Sequence, residues 1–178
     1  WKDSGILVRG AAAWSMTVMF LTAWEHLTDE EENCDTYRPA SEDIPTRGYV
    51  QPYLDTPLDY EAVGQSVYLN MVSRAKDYVY ITTPYLIVSH GMNTALCNAA
   101  KSGVDVRIIT PHIPDKKSVF EVTRAHYPPL LEAGVRIYEY TPGFIHAKNM
   151  VSDDLYATVG TINLDYRSFF LHFEDGVW

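Results

Sequence analysis

The chain has 178 residues, of which 47% are apolar and 21% charged, a balance that excludes disorder and low complexity as its main state and allows a sizeable core. Against 23 acidic side chains stand only 14 Lys and Arg, for a net charge of −9, which argues against nonspecific binding to nucleic acid because that needs a basic surface. Cys34 and Cys97 are too few for a disulfide framework.

Residues 1–27 open without a signal peptide and with Trp1 in place of an initiator Met, so the sequence is expected to be part of a longer protein. Ile6-Leu7-Val8 reads as a short extended stretch. The uncharged run over 10–24 falls short of the roughly 20 apolar residues a bilayer span needs, and Ser15, Thr17 and Thr22 interrupt it. Trp14, Val18, Leu21 and Trp24 recur at helical spacing, which predicts a buried amphipathic helix. Any membrane anchor is expected outside this chain.

Residues 28–48 read as an acidic linker. Asp29, Glu30, Glu31, Glu32, Asp35, Glu42 and Asp43 face only Arg38 and Arg47, and Pro39 and Pro45 punctuate a stretch with few large apolar side chains. Cys34 within it is expected to be a free thiol.

Residues 49–178 alternate between strand and helix patterns, the signature of an α/β domain. Strands are predicted over 49–53, 78–83, 104–109 and 135–140, with shorter ones near 148–152, 156–161 and 173–178. Helices are predicted over 61–75, with Val63, Val67, Met71 and Ala75 on one face, over 92–101, and over 117–133 with a break at Pro128-Pro129. Gly103-Val104 and Gly134-Val135 each close a helix and open a strand, as in βαβ units that feed a parallel sheet. Ligands in such sheets meet the loops after the strand C-termini. Three loops qualify: Thr83-Pro84-Tyr85, the segment over 110–115 with His112 and Asp115, and the segment over 141–146.

The third loop runs into His146-Ala147-Lys148. In a strand, residues two apart share a face, so an imidazole and an ammonium would project together. An imidazole nitrogen can attack phosphorus, and an ammonium can neutralise the oxygens that gain charge in the transition state. Asn163 can donate to a phosphoryl oxygen, and a carboxylate such as Glu174 can fix the imidazole tautomer. His-x-Lys alone is a weak signal, but His146-x-Lys148-x4-Asp153-x6-Gly160-Thr161-x-Asn163 is a strong one.

At these residues the sequence resembles the phospholipase D superfamily. The phrases around Thr83-Pro84-Tyr85, Pro111-His112-Ile113-Pro114-Asp115, Pro142-Gly143-Phe144-Ile145-His146 and Gly160-Thr161-Ile162-Asn163-Leu164-Asp165-Tyr166-Arg167-Ser168 are most similar to the bacterial cardiolipin synthase branch, and the likeness covers essentially the whole chain. The resemblance implies a phospholipase D-like α/β/α sandwich with a mixed, mostly parallel sheet flanked by helices. It implies a phosphatidyltransferase that joins two phosphatidylglycerols with release of glycerol through a phosphohistidine. His146 would be one of two active-site histidines, Lys148, Asn163 and Thr161 would bind phosphate, and Glu174 would orient the histidine. Asp153 belongs to the motif, with a mainly structural part. No metal or cofactor is implied, and neither is a nucleic-acid partner.

One departure from the family pattern is large. None of His26, His90, His112, His126 and His172 heads a second His-x-Lys. Asp3-Ser4-Gly5-Ile6 mirrors Glu174-Asp175-Gly176-Val177, so Asp3 is read as the counterpart of Glu174 in a preceding repeat. The chain is then expected to be the C-terminal half of a two-repeat enzyme, with residues 1–27 as the last strand and helix of the preceding repeat. Its expected partners are a phospholipid substrate, the absent N-terminal repeat and a second copy of itself in a homodimer. The fragment itself is expected to be soluble and on the cytoplasmic side of the cell membrane that holds the parent. The rivals are a phosphodiesterase of the same superfamily, either hydrolase or nuclease, and a half-domain that folds without turning over.

Overall fold

The computed structural model describes residues 1–38, 45 and 47–178. Pro39, Glu42 and Asp43 of the predicted linker lie outside them. Helix α1 spans Ala11–Thr28 and is followed by a single 3-10 turn at Cys34–Tyr37. That first part of the linker folds back on α1: the Glu32 amide donates to the Glu25 carboxylate at 2.9 Å, and the Arg38 guanidinium lies 4.8 Å from the Trp14 ring. The predicted burial of α1 does not hold along its length. Leu21 is its buried residue, whereas Phe20 and Trp24 are exposed. Among the described residues no helix is long and apolar enough to cross a membrane.

The remaining elements are β1 (Pro52–Asp55), α2 (Val63–Arg74), β2 (Tyr78–Thr82), β3 (Leu86–Ile87), α3 (His90–Lys101), β4 (Asp105–Pro111), α4 (Lys117–Ala125), α5 (Tyr127–Glu132), β5 (Arg136–Tyr140), β6 (Asn149–Ser152), β7 (Tyr156–Gly160), β8 (Leu164–Asp165), α6 (Tyr166–Phe170) and β9 (Glu174–Val177). Seven strands form one sheet in the order β1-β9-β7-β6-β2-β4-β5, and β3 pairs with β8 separately. The fold is the expected mixed α/β arrangement, but its balance differs from the expected mostly parallel sheet. Within the seven-stranded sheet β2–β4 and β4–β5 are parallel neighbours, while β2–β6, β6–β7, β7–β9 and β9–β1 are antiparallel. The physical reason is connection length. Helices α3, α4 and α5 carry the chain back for each parallel strand, whereas β6 and β7 are joined by a tight turn at Asp153 and Asp154, and such a turn can only join antiparallel strands.

Period-two burial places Val79, Ile81, Val106, Ile108 and Met150 on one face of the sheet. Helices α2, α3 and α5 close over them with Tyr68, Met71, Val72, Met92, Leu96 and Leu130. The buried stripe of α2 is Gly64, Tyr68, Met71 and Val72, with the predicted Val63 and Val67 only half-buried at its margin. The opposite face is covered less evenly. Helix α1 packs near β1, while Tyr80, Tyr138 and Val151 stay exposed. Gly103 and Gly134 take φ of 98° and 100°, the left-handed conformation that ends α3 and α5 before β4 and β5. Pro128-Pro129 does not break a helix. The prolines sit at the start of α5, where their missing amides cost nothing, and the interruption falls at His126.

Candidate active site

His146 lies in the passage from β5 to β6, where residues 1–4 run alongside it. Lys2 and Ile145 form a parallel bridge. The Lys2 amide donates to the Phe144 carbonyl at 2.8 Å, and the His146 amide donates to the Lys2 carbonyl at 2.7 Å. This clip delivers the next residue, Asp3, to the imidazole. Asp3 Oδ2 is 2.9 Å from His146 Nδ1. Ser4 continues the attachment, donating its hydroxyl to the Asn149 side-chain oxygen at 2.8 Å. Trp1 leans on Phe144 and His146, with ring centroids 4.9 and 5.0 Å apart.

A carboxylate only accepts hydrogen bonds, so Asp3 holds the proton on Nδ1 and leaves the lone pair on Nε2. The Lys148 ammonium only donates. Its Nζ is 3.0 Å from Nε2 and 2.8 Å from Nδ1, and it also reaches the His146 carbonyl oxygen. With Nδ1 engaged by Asp3, Nε2 is the ring acceptor available to Lys148. Partial burial pushes the Asp3 carboxyl up, but the His146 bond, the Ser4 amide and the charge of Lys148 outweigh it, and the pKa sits below the ordinary aspartate value. Burial pushes the Lys148 ammonium down against the charges of Asp3, Glu174 and Asp165. An imidazole lone pair beside a desolvated cation is suited to meet a phosphate ester: the ring can attack or carry a proton, and the cation can take up oxyanion charge.

The Gly160-Thr161-Ile162-Asn163 segment leaves β7 beside Lys148, whose carbonyl accepts from the Gly160 amide at 3.4 Å. A side chain at Gly160 would collide with the Asp175 backbone, so only glycine allows β7 to lie this close to β9. Thr161 is then stitched to Asp175. Its amide donates to the Asp175 carbonyl at 2.8 Å, and its hydroxyl accepts from the Asp175 amide at 2.9 Å. Ile162 is buried and its carbonyl accepts from the Tyr68 hydroxyl at 2.8 Å. Asn163 therefore turns inward, and its Nδ2 donates to Ser168 Oγ at 3.0 Å.

Not every predicted member of the site sits as expected. Glu174 does not hold His146. Its Oε1 accepts from the Ser168 hydroxyl at 2.9 Å and lies 3.4 Å from His172 Nδ1, while Asp3 takes the place on the imidazole that the sequence reading gave to Glu174. Thr161 secures β9 with the hydroxyl expected to face phosphate. Asp153 stands beyond the far end of β6 from Lys148, where its carboxylate accepts the amides of Lys76, Asp77 and Tyr78 at 2.8, 3.0 and 2.8 Å. It ties the start of β2 to the β6–β7 turn and touches none of the site. Of the neighbouring loops, Tyr85 donates to Asp115 at 2.6 Å, and His112 and Arg124 both engage Glu139. Among the described residues no group of three or more His, Cys, Asp or Glu side chains is placed to hold a metal ion.

Residues 68–178 match the family model described as cardiolipin synthase, PLD-like domain. The chain belongs to this family. A cardiolipin synthase of Halalkalibacterium halodurans is 41% identical to the domain over 98% of this chain and 35% of its own length, and an uncharacterized protein of Streptococcus mutans is 50% identical over 98% of this chain and 38% of its own. The chain thus spans little more than a third of the curated relatives it matches. Among solved structures the domain is similar in fold to the phospholipase D family member Nuc of Salmonella typhimurium (TM-score 0.60, 20% identity, 72% of this chain and 80% of that one). The phosphatidylserine synthase of Haemophilus influenzae is also similar (TM-score 0.58, 18% identity, 72% of this chain and 34% of that one).

Two participants in the PLD-like domain escaped the sequence reading. Ser168 joins Asn163 to Glu174, and its only signal is its place five residues after Asn163 in the same phrase. Asp165 caps α6 by accepting the Ser168 amide at 2.7 Å, and its charge reaches Lys148. The cap pattern Asp-x-x-Ser was readable, but its bearing on the site was not.

Proposed function

We propose that this chain supplies one half of a two-histidine phosphatidyltransferase site that forms cardiolipin from two phosphatidylglycerols. The observation that carries the reading is the Asp3–His146–Lys148 cluster, which combines a fixed imidazole tautomer with a buried cation. Relatives named cardiolipin synthase, about 40% identical over nearly the whole chain, support the choice of substrate.

In this reading one histidine nitrogen attacks the phosphorus of the first lipid. The P–N bond forms as the P–O bond to the headgroup glycerol breaks, and the second histidine protonates the departing glycerol oxygen. That second histidine then takes the proton from a hydroxyl of the other phosphatidylglycerol, whose oxygen attacks phosphorus and breaks the P–N bond. Lys148 and Asn163 hold the phosphoryl oxygens throughout. Asp3 stabilises the imidazolium whenever His146 carries a second proton. The second histidine comes from a preceding repeat or from a second copy. The likeness of Asp3 to Glu174 then gives Glu174 a role beside that histidine, equivalent to the one Asp3 has beside His146.

The test is the full-length protein on phosphatidylglycerol vesicles. Cardiolipin and free glycerol should appear in equal amounts, and His146→Ala should abolish both. Phosphatidic acid as the main product would make the protein a hydrolase instead.

A further inference from the structure

We propose that Ser168 is a positioning residue that sets the direction of the Asn163 amide through a one-way chain of hydrogen bonds anchored on Glu174. The inference deepens the phosphoryl-site reading above and rests on it. A serine hydroxyl has one proton to give. Ser168 gives it to Glu174 Oε1 at 2.9 Å. Its oxygen can then only accept, and Asn163 Nδ2 is the donor, at 3.0 Å. A flipped amide would set Asn163 Oδ1 against the Ser168 lone pairs, so the carboxylate on β9 dictates which end of the Asn163 amide faces Ser168.

The dictated orientation has a local cost, and that cost supports the proposal. Among the described residues Asn163 Oδ1, which is buried, has no hydrogen-bond partner. A free amide would turn to relieve this, because buried polar atoms are almost always paired. It is held by the chain through Ser168, whose backbone is itself fixed by the Asp165 cap. The arrangement leaves the second Nδ2 proton as the amide's remaining donor, the group that a phosphoryl oxygen requires. Ser168 is buried, with 1% of its surface exposed, and has no direct part in the chemistry.

Ser168→Ala isolates this role, because it keeps the backbone amide that Asp165 caps and deletes only the hydroxyl. Inorganic phosphate and orthovanadate would be titrated into this chain, with the His146 ring protons as the reporter. Ser168→Ala and Asn163→Ala should each weaken binding about fivefold, the size of one hydrogen bond. The double variant should bind no more weakly than Asn163→Ala alone. Losses that multiply would overturn the proposal, since a merely structural serine acts independently of the amide. A second readout needs no ligand. One of the two Asn163 Nδ2 protons should exchange with water more slowly than those of the exposed Asn33, and Ser168→Ala should erase the difference. Equal exchange in the unmodified chain would also overturn the proposal. If no form binds phosphate, the phosphoryl-site reading fails and the exchange measurement alone decides the part of Ser168.

Discussion

Asp3 and His146 are 143 positions apart in sequence, and their side chains meet at 2.9 Å. The contact depends on a parallel backbone clip between Lys2 and residues 144–146, so the imidazole is oriented by a segment that precedes α1 and the linker. The carboxylate gives the ring its Nδ1–H tautomer and places countercharge beside Lys148. Hydrogen bond, tautomer and cation thus form one unit.

Asp3→Asn is expected to reduce transfer by the full-length protein about a hundredfold or more, because a neutral amide cannot stabilise the imidazolium and can turn to donate into Nδ1. The ring ¹⁵N shifts of His146 should report the change as a mixture of tautomers. Unchanged ring shifts together with unchanged activity would remove Asp3 from the site.

Lys148→Met separates stability from function. Burial lowers the Lys148 pKa even against three nearby carboxylates, so its positive charge destabilises the fold at neutral pH. The sign follows directly: a cation with a depressed folded pKa costs stability below that value, and the cost disappears as pH rises toward the ordinary value of 10.5. A methionine of similar length should raise stability by about 1 kcal/mol and abolish phosphate binding. Urea unfolding beside a phosphate titration checks both arms. Stronger or unchanged phosphate binding would contradict the role given to Lys148.

How much of this was legible in the sequence differs from residue to residue. His146 and Lys148 could be paired from their spacing, because two positions in extended backbone is a local relation. The assignment of Glu174 to His146 went wrong because it depends on how residues 1–4 dock, which no local pattern encodes. The mirror relation of Asp3 to Glu174 is legible in the sequence, but the partner of Asp3 is not. The turn at Asp153 and Asp154, with φ of 54° and 56°, makes a hairpin that was missed; Asp-Asp is a weak version of the Asp-Gly signal. Strands β3 and β8 have two residues each and exist only through their mutual pairing, so they left no periodic trace. The stripe of α2 was only partly legible: hydrophobic period marks the helix, but of Val63, Val67, Met71 and Ala75 only Met71 belongs to the buried stripe, which is turned by about one residue to Gly64, Tyr68, Met71 and Val72.

Gly160→Ala tests the close approach that positions Asn163. The added carbon would strike the Asp175 backbone, which cannot rotate away. Loss of the β7–β9 pairing should cost about 3 kcal/mol or more. The expected result is poor recovery of folded protein and rapid proteolysis within 156–178. A native-like unfolding midpoint would mean that β9 shifts freely, and Asn163 would then not be rigidly placed.

Asp153→Ala should behave in the opposite way to the site variants. Its carboxylate accepts three backbone amides at the start of β2, and those bonds, offset by a smaller effect of burial, hold its pKa below the ordinary aspartate value of 3.8. Removing the acceptor leaves three donors to solvent and should destabilise the fold by about 2 kcal/mol, a drop of about 4–8 °C in Tm. The pH dependence has a definite sign. A depressed carboxyl pKa contributes stability that is complete above 3.8 and is lost as pH falls through the lower folded value. The unmodified chain should therefore lose its advantage over Asp153→Ala as the solution is acidified below that point. At neutral pH and a temperature where both are folded, phosphate binding at His146 should be equal in the two. A selective loss of phosphate binding with Tm unchanged would make Asp153 part of the site and not of its scaffold.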